Sequence, residues 1–127
     1  MCRAEIRQYF TRESLISQHE YIEICKDKTA NLFKTILESC SLILNSDIEK
    51  SIEFGEYFGV YFQIKNDLEK TSAEIDKANG IYTAKDILGI EKTKILLDNY
   101  KENMMKILKD FPENVYRKRL EDLIDSL

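Results

Sequence analysis

Proline occurs once and glycine four times in 127 residues, too little turn chemistry for a meander of short strands. Histidine is as scarce: His19 stands alone, beside three cysteines, Cys2, Cys25 and Cys40, with no C-x-x-C spacing. An odd cysteine count argues against a disulfide framework, and one histidine without paired cysteines argues against a structural zinc. The cysteines are expected as small buried hydrophobes in a reducing cytoplasm. Positive charge is not in excess. Nineteen Lys and Arg against 23 Asp and Glu leave a net charge of -4, so no field draws the chain onto nucleic acid or anionic lipid. Long apolar runs are missing too: Arg3, Glu5 and Arg7 interrupt the opening MCRAEIRQYF, so neither a secretory leader nor a membrane span is expected.

What remains is an ordinary globular mixture, 43% hydrophobic and 33% charged, which is enough apolar material for a single domain over residues 1–127. Apolar residues recur near a 3.6-residue period, and the predicted fold class is all-α. Ser17 and Glu20 form a capping-box pattern that opens a long helix to about Leu44. Ser46 and Glu49 repeat the pattern ahead of a second helix, apolar around most of its circumference from Ile48 through Phe62, which predicts burial. Asn79 and Gly80 mark a turn. A helix from about Ile87 to Lys109 follows, then Pro112 and a last helix from about Glu113 to Ser126.

One stretch breaks the apolar pattern. Gln63, Asn66, Asp67 and Lys70 fall at i, i+3, i+4 and i+7, so they stack on one face. Such a stripe is either a solvated helix end or the lining of a polar cavity, since burying these groups unpaired costs about 1–3 kcal/mol each. His19 and the basic run Arg117 to Arg119 read as solvated surface.

The run Glu56 to Asp67, EYFGVYFQIKND, resembles the second aspartate-rich helix of the trans-isoprenyl (polyprenyl) diphosphate synthases, Y/N-x-G-x-x-F-Q-[ILV]-x-D-D-x-x-D. Upstream, Glu20 to Phe33 is similar to that family's E-Y-x-x-I-x-x-K-T-A-x-L-F helix. Met1 to Gln8 resembles the interior segment M-C-x-G-E-I-x-Q, Asp76 to Thr83 resembles D-x-x-x-G-K-x-T, and Phe111 to Arg117 resembles the closing L-P-x-x-x-Y-R. Five matches in order distinguish the chain from an unrelated helical bundle. The resemblance implies an antiparallel helical bundle corresponding to the C-terminal part of the isoprenoid synthase fold. It also implies an activity: an allylic diphosphate ionises, and isopentenyl diphosphate attacks the resulting carbocation. In that family magnesium held by two aspartate-rich motifs stabilises the departing diphosphate. Carried over, Lys28 would pair with diphosphate, Thr29 would hydrogen-bond near it, Gln63 would orient polar groups beside it, and Asp67, with Asn66, would contact magnesium.

Departures from the pattern are as informative. At the three aspartate positions stand Asn66, Asp67 and Lys70, a net charge of zero where the family carries three negative charges. Two unit charges about 4 Å apart interact by about 4 kcal/mol at an effective dielectric near 20, so a lysine there opposes a metal. Magnesium binding is expected to be weakened or lost. Ile81 replaces the lysine of G-K-x-T and Ala4 the glycine of M-C-x-G; Lys65, Lys77 and Lys85 are alternative diphosphate contacts. The family's first aspartate-rich motif has no counterpart, and Met1 matches an interior methionine, so truncation is expected. The chain is thus expected to be the C-terminal part of a polyprenyl diphosphate synthase, inactive by itself, completed by an N-terminal half, another synthase chain or a second copy. The alternative is a non-catalytic helical subunit or regulator of a prenyltransferase complex.

Overall fold

A computed structural model describes residues 1–69 and 76–127, and the described residues contain helices and no strand. In chain order the helices are α1 (Cys2–Phe10), α2 (Gln18–Cys25), a π turn (Lys26–Ala30), α3 (Asn31–Leu44), α4 (Ile48–Leu68), α5 (Ala84–Leu88), α6 (Ile90–Asp110) and α7 (Val115–Ser126). Ser17 caps α2 by accepting from the Glu20 N–H at 3.1 Å, as its spacing predicts. The α4 cap is one residue later than predicted. Asp47 accepts from the Lys50 N–H at 3.1 Å, while the Ser46 N–H is committed to the Ser41 carbonyl at the end of α3. Asn45, in the left-handed region at φ 52°, makes the tight turn that sends α4 back antiparallel to α3. The helix predicted from about Ile87 is α6, which begins at Ile90 because Gly89 at φ 79° breaks the run; ahead of it lies the unpredicted α5, for which Thr83 with Asp86 closes a full capping box.

Helix α4 is the centre. It packs on α3 along one side and α6 along the other, with the π turn, α2 and α5 against its remaining surface. Val60 and Ile64 are fully buried, each contributing about 1.5–3 kcal/mol of burial free energy. Phe54, Phe58 and Phe62 line one edge at centroid spacings of 6.1 and 6.4 Å, and Phe33 of α3 meets Phe58 edge-on at 4.9 Å. Gly59 lets α4 touch the π turn. A Cβ there would lie 2.3 Å from the Ala30 Cα, so only glycine permits this approach.

One expectation holds and one is corrected. The all-round apolar α4 is packed, as its pattern predicts, and the unpaired apolar surface lies on peripheral helices, at Phe10 of α1 (79% exposed), Ile43 of α3 (83%) and Tyr116 of α7. The reason is order in space: α4 is sandwiched, whereas among the described elements α7 rests on α6 alone. Of the cysteines only Cys25 is buried, because Cys2 and Cys40 fall on outward faces of α1 and α3. His19, Lys118 and Arg119 are exposed as predicted, but Arg117 is half-buried, bonded to Glu121 and the Phe111 carbonyl.

Candidate functional site

The polar stripe of α4 meets the π turn and α2. A π turn carries one extra residue within the helical path, seen here in the Asn31 N–H bonding the Lys26 carbonyl five residues back. Its last residue, Ala30, lies against Gly59, so Thr29 sits beside α4. The Thr29 hydroxyl donates to Gln63 Oε1 at 2.6 Å, and Gln63 Nε2 donates to Asp67 Oδ1 at 2.8 Å. The Tyr21 hydroxyl donates to Asp67 Oδ2 at 2.6 Å. Four side chains from three elements thus form one continuous chain. It fixes the Gln63 amide, since only its oxygen can accept from Thr29 and only its nitrogen can donate to a carboxylate.

Asp67 is 5% exposed, so the stripe is no solvated helix end at this residue. Burial raises its pKa above the ordinary value, and the Tyr21 and Gln63 donors pull it back. The Tyr21 phenol is pushed up chiefly by burial, with Cys25 and Asp67 adding to the shift. The Cys25 thiol is pushed up to about 12, again chiefly by burial, with the Tyr21 hydrogen bond opposing.

Lys28 is engaged by α1. Its ammonium donates to Gln8 Oε1 at 3.0 Å and lies 3.4 Å from Glu5 Oε1, both on α1. Its charge is felt by Asp67 and by half-buried Asp76, the latter raised chiefly by burial and further by Glu5. Arg7 draws α1 onto the same region through Glu20 at 3.3 Å and Asp27 at 3.7 Å. A cavity of about 10 Å³ borders Gln8, Tyr21 and Ile81, room for at most one water.

Of the residues singled out in the sequence, Thr29, Gln63 and Asp67 come together, and Lys28 lies adjacent. Asn66 and Lys65 are half-buried, and no hydrogen bond or ion pair is formed by either side chain among the described residues. Lys65 follows Gln63 by two positions, about 200° around the helix, which points it away from the network. Lys77 and Lys85 are exposed, and Lys70 lies outside the described residues. Tyr21, Gln8 and Glu5 were missed as site residues. Tyr21 was visible only as the tyrosine of the E-Y match, because no helical spacing links it to Asp67 46 residues away.

The donor set can be tested against magnesium, which takes six oxygen ligands and keeps several as water. Among the described residues no group of three or more His, Cys, Asp and Glu side chains is placed to hold an ion. Both Asp67 oxygens already accept protein hydrogen bonds. In this arrangement the described residues do not fit a hydrated divalent cation.

A family model described as Polyprenyl synthetase matches residues 1–124. No curated protein matches the sequence. Among solved structures, the chain is similar to heptaprenyl diphosphate synthase from Staphylococcus aureus, with 18% identity and a TM-score of 0.87, covering 98% of this chain and 54% of that one. It is likewise similar to a decaprenyl diphosphate synthase from Rhodobacter capsulatus, with 18% identity, a TM-score of 0.85 and the same coverage. The all-α isoprenoid synthase fold is therefore shared, and the chain spans about half the length of the solved synthases it matches. No described helix is long and apolar enough to cross a membrane.

Proposed function

This chain belongs to the polyprenyl synthetase family, and on that premise we propose that it is the C-terminal part of a polyprenyl diphosphate synthase, inactive by itself. It contributes Lys28, Thr29 and Gln63 to a prenyl-transfer site that another chain or segment completes. The reaction class is attack of the isopentenyl diphosphate double bond on the carbocation left when an allylic diphosphate ionises, followed by proton loss. The Thr29 to Gln63 hydrogen bond carries the reading, because it joins side chains of the two most detailed motif matches across 34 residues of chain. Lys28 supplies a cation for diphosphate once its Gln8 and Glu5 contacts are exchanged, Thr29 and Gln63 present fixed dipoles beside it, and Lys65 is a peripheral contact. Any metal dependence of the complete enzyme would arise from ligands on the completing part, or from Asp67 and Asn66 after rearrangement.

The completing part is an N-terminal half, another synthase chain or a second copy, and the apolar surface at Ile6, Phe10, Ile36 and Ile43 is material for such an association. Three free cysteines suit a reducing cytoplasm. The test is to mix the chain with a candidate N-terminal half and follow incorporation of labelled isopentenyl diphosphate in magnesium. Product that disappears with Lys28→Ala supports the reading, and a saturating mixture without product overturns it.

A second reading, a non-catalytic helical subunit or regulator, is favoured by the engagement of both Asp67 oxygens. Calorimetry with magnesium and a diphosphate analogue separates the two, because tight metal-dependent binding by the chain alone removes the regulator.

A further inference from the structure

We infer that Tyr21, Asp67, Gln63 and Thr29 form a metal-free clasp in which the Tyr21 hydroxyl holds the Asp67 oxygen a divalent ion would need, making Tyr21 the positioning residue for Gln63 and Thr29. The contact lengths point this way. At 2.6 Å the Tyr21 to Asp67 bond is in the short range of a hydroxyl donating to a carboxylate, and 2.8 Å from the Gln63 amide is equally close. Tyr21 is 4% and Asp67 5% exposed, so the bond between them is largely shielded from solvent. A cation reaching Oδ2 would share that oxygen with the buried Tyr21 phenol, and one reaching Oδ1 would share it with the Gln63 amide that meets Thr29. Among the described residues no group of three acidic, His or Cys side chains surrounds it there.

The surroundings already contain a counter-charge. Lys28 is the cation felt by Asp67 and Asp76 and paired with Glu5, so a divalent ion entering here would meet an ammonium as well as two hydrogen-bond donors. Order at this crossing is supplied by direct hydrogen bonds between side chains, with Asn66 standing at one of the positions where the family pattern has a carboxylate. Glycine adds the third condition: Gly59 against Ala30 holds α4 near enough for Thr29 to reach Gln63.

The clasp does not depend on prenyl transfer, and its test uses the whole chain without any prenyl substrate, so the two ideas fail separately. Water-proton relaxation during a Mn2+ titration reads metal directly. The expected result is no site that Asp67→Asn removes, and the same thermal midpoint in EDTA as in magnesium. Tyr21→Phe, which deletes only the hydroxyl, is expected to shift the Gln63 side-chain amide resonances, assigned through Gln63→Met, whereas Tyr57→Phe leaves them in place. Mn2+ binding abolished by Asp67→Asn overturns the inference, as does a Gln63 amide indifferent to Tyr21→Phe. Should Tyr21→Phe not fold, the Mn2+ titration of the unaltered chain still decides.

Discussion

Replacing Gly59 with alanine tests how the site is built. The added methyl would sit 2.3 Å from the Ala30 Cα, 2.8 Å from its Cβ and 2.9 Å from its N, and the nearest atom belongs to backbone that has no rotamer to change. Restoring ordinary contact near 3.4 Å requires α4 and the π turn to part by about 1 Å. The Thr29 to Gln63 bond, 2.6 Å now, would then lie near the limit of hydrogen bonding. Overpacking costs about 3 kcal/mol at a contact this close, and alanine returns about 1 kcal/mol through helix propensity. The net loss is about 2 kcal/mol. For 127 residues a loss of 1 kcal/mol lowers the midpoint by about 4 °C, so Gly59→Ala should melt about 8 °C lower by circular dichroism. Ala30→Gly should not rescue it, since the Cα remains. Gly55→Ala should cost less, because its nearest atoms lie at 3.0 and 3.1 Å. A Gly59→Ala chain as stable as the original, or one rescued by Ala30→Gly, would refute the close-approach argument.

Asp67 and Glu56 should titrate with opposite signs. Burial raises Asp67 above 3.8, so the folded chain holds more protons than the unfolded one between 3.8 and the raised value. The stability difference between the original chain and Asp67→Asn should therefore shrink as pH climbs through that interval in urea unfolding, and growth would contradict it. For Glu56, burial is outweighed by Lys34 at 2.8 Å and Lys26 at 3.0 Å, leaving the pKa lowered from 4.5. Its contribution is present above 4.5 and is lost as pH falls through the folded value; Glu56→Gln should cost under about 1 kcal/mol at neutral pH, less in high salt, given partial exposure. Thiol titration should count two fast cysteines, Cys2 and Cys40, with Cys25, 1% exposed and pushed to about 12, reacting only in denaturant. Three fast thiols in the folded chain would refute that placement.

Much of the architecture was legible because helices are written in local spacing. The apolar period, the Ser17 cap and the turn near Asn79 and Gly80 placed α2 to α4, α6 and α7 within a few residues, while the short α1 and α5 were not read as helices, and ordered motif matches from Met1 to Arg117 anticipated the family. Errors arose where two local signals competed. Ser46 and Asp47 are both good caps, and only the closing bond of α3 shows that the Ser46 N–H is already committed. Gly89 inside a helical pattern can be tolerated or can break it, and its positive φ decides for the break.

By itself the sequence determined which residue types stand at which helical offsets: a threonine after Lys28, a glutamine four before an aspartate, a lysine where a third carboxylate would be. Those offsets put Gln63 and Asp67 on one face, since a helix repeats every 3.6 residues. Tertiary structure alone decided what that face meets. Tyr21, one continuous helical path away from Thr29, reaches Asp67 because α2 and α4 cross, and the crossing is set by Gly59 against Ala30. Hydrogen-bond partners distant in the chain carry no spacing signal, and burial, which turns Asp67 from an open ligand into a held acceptor, is a property of the packed whole.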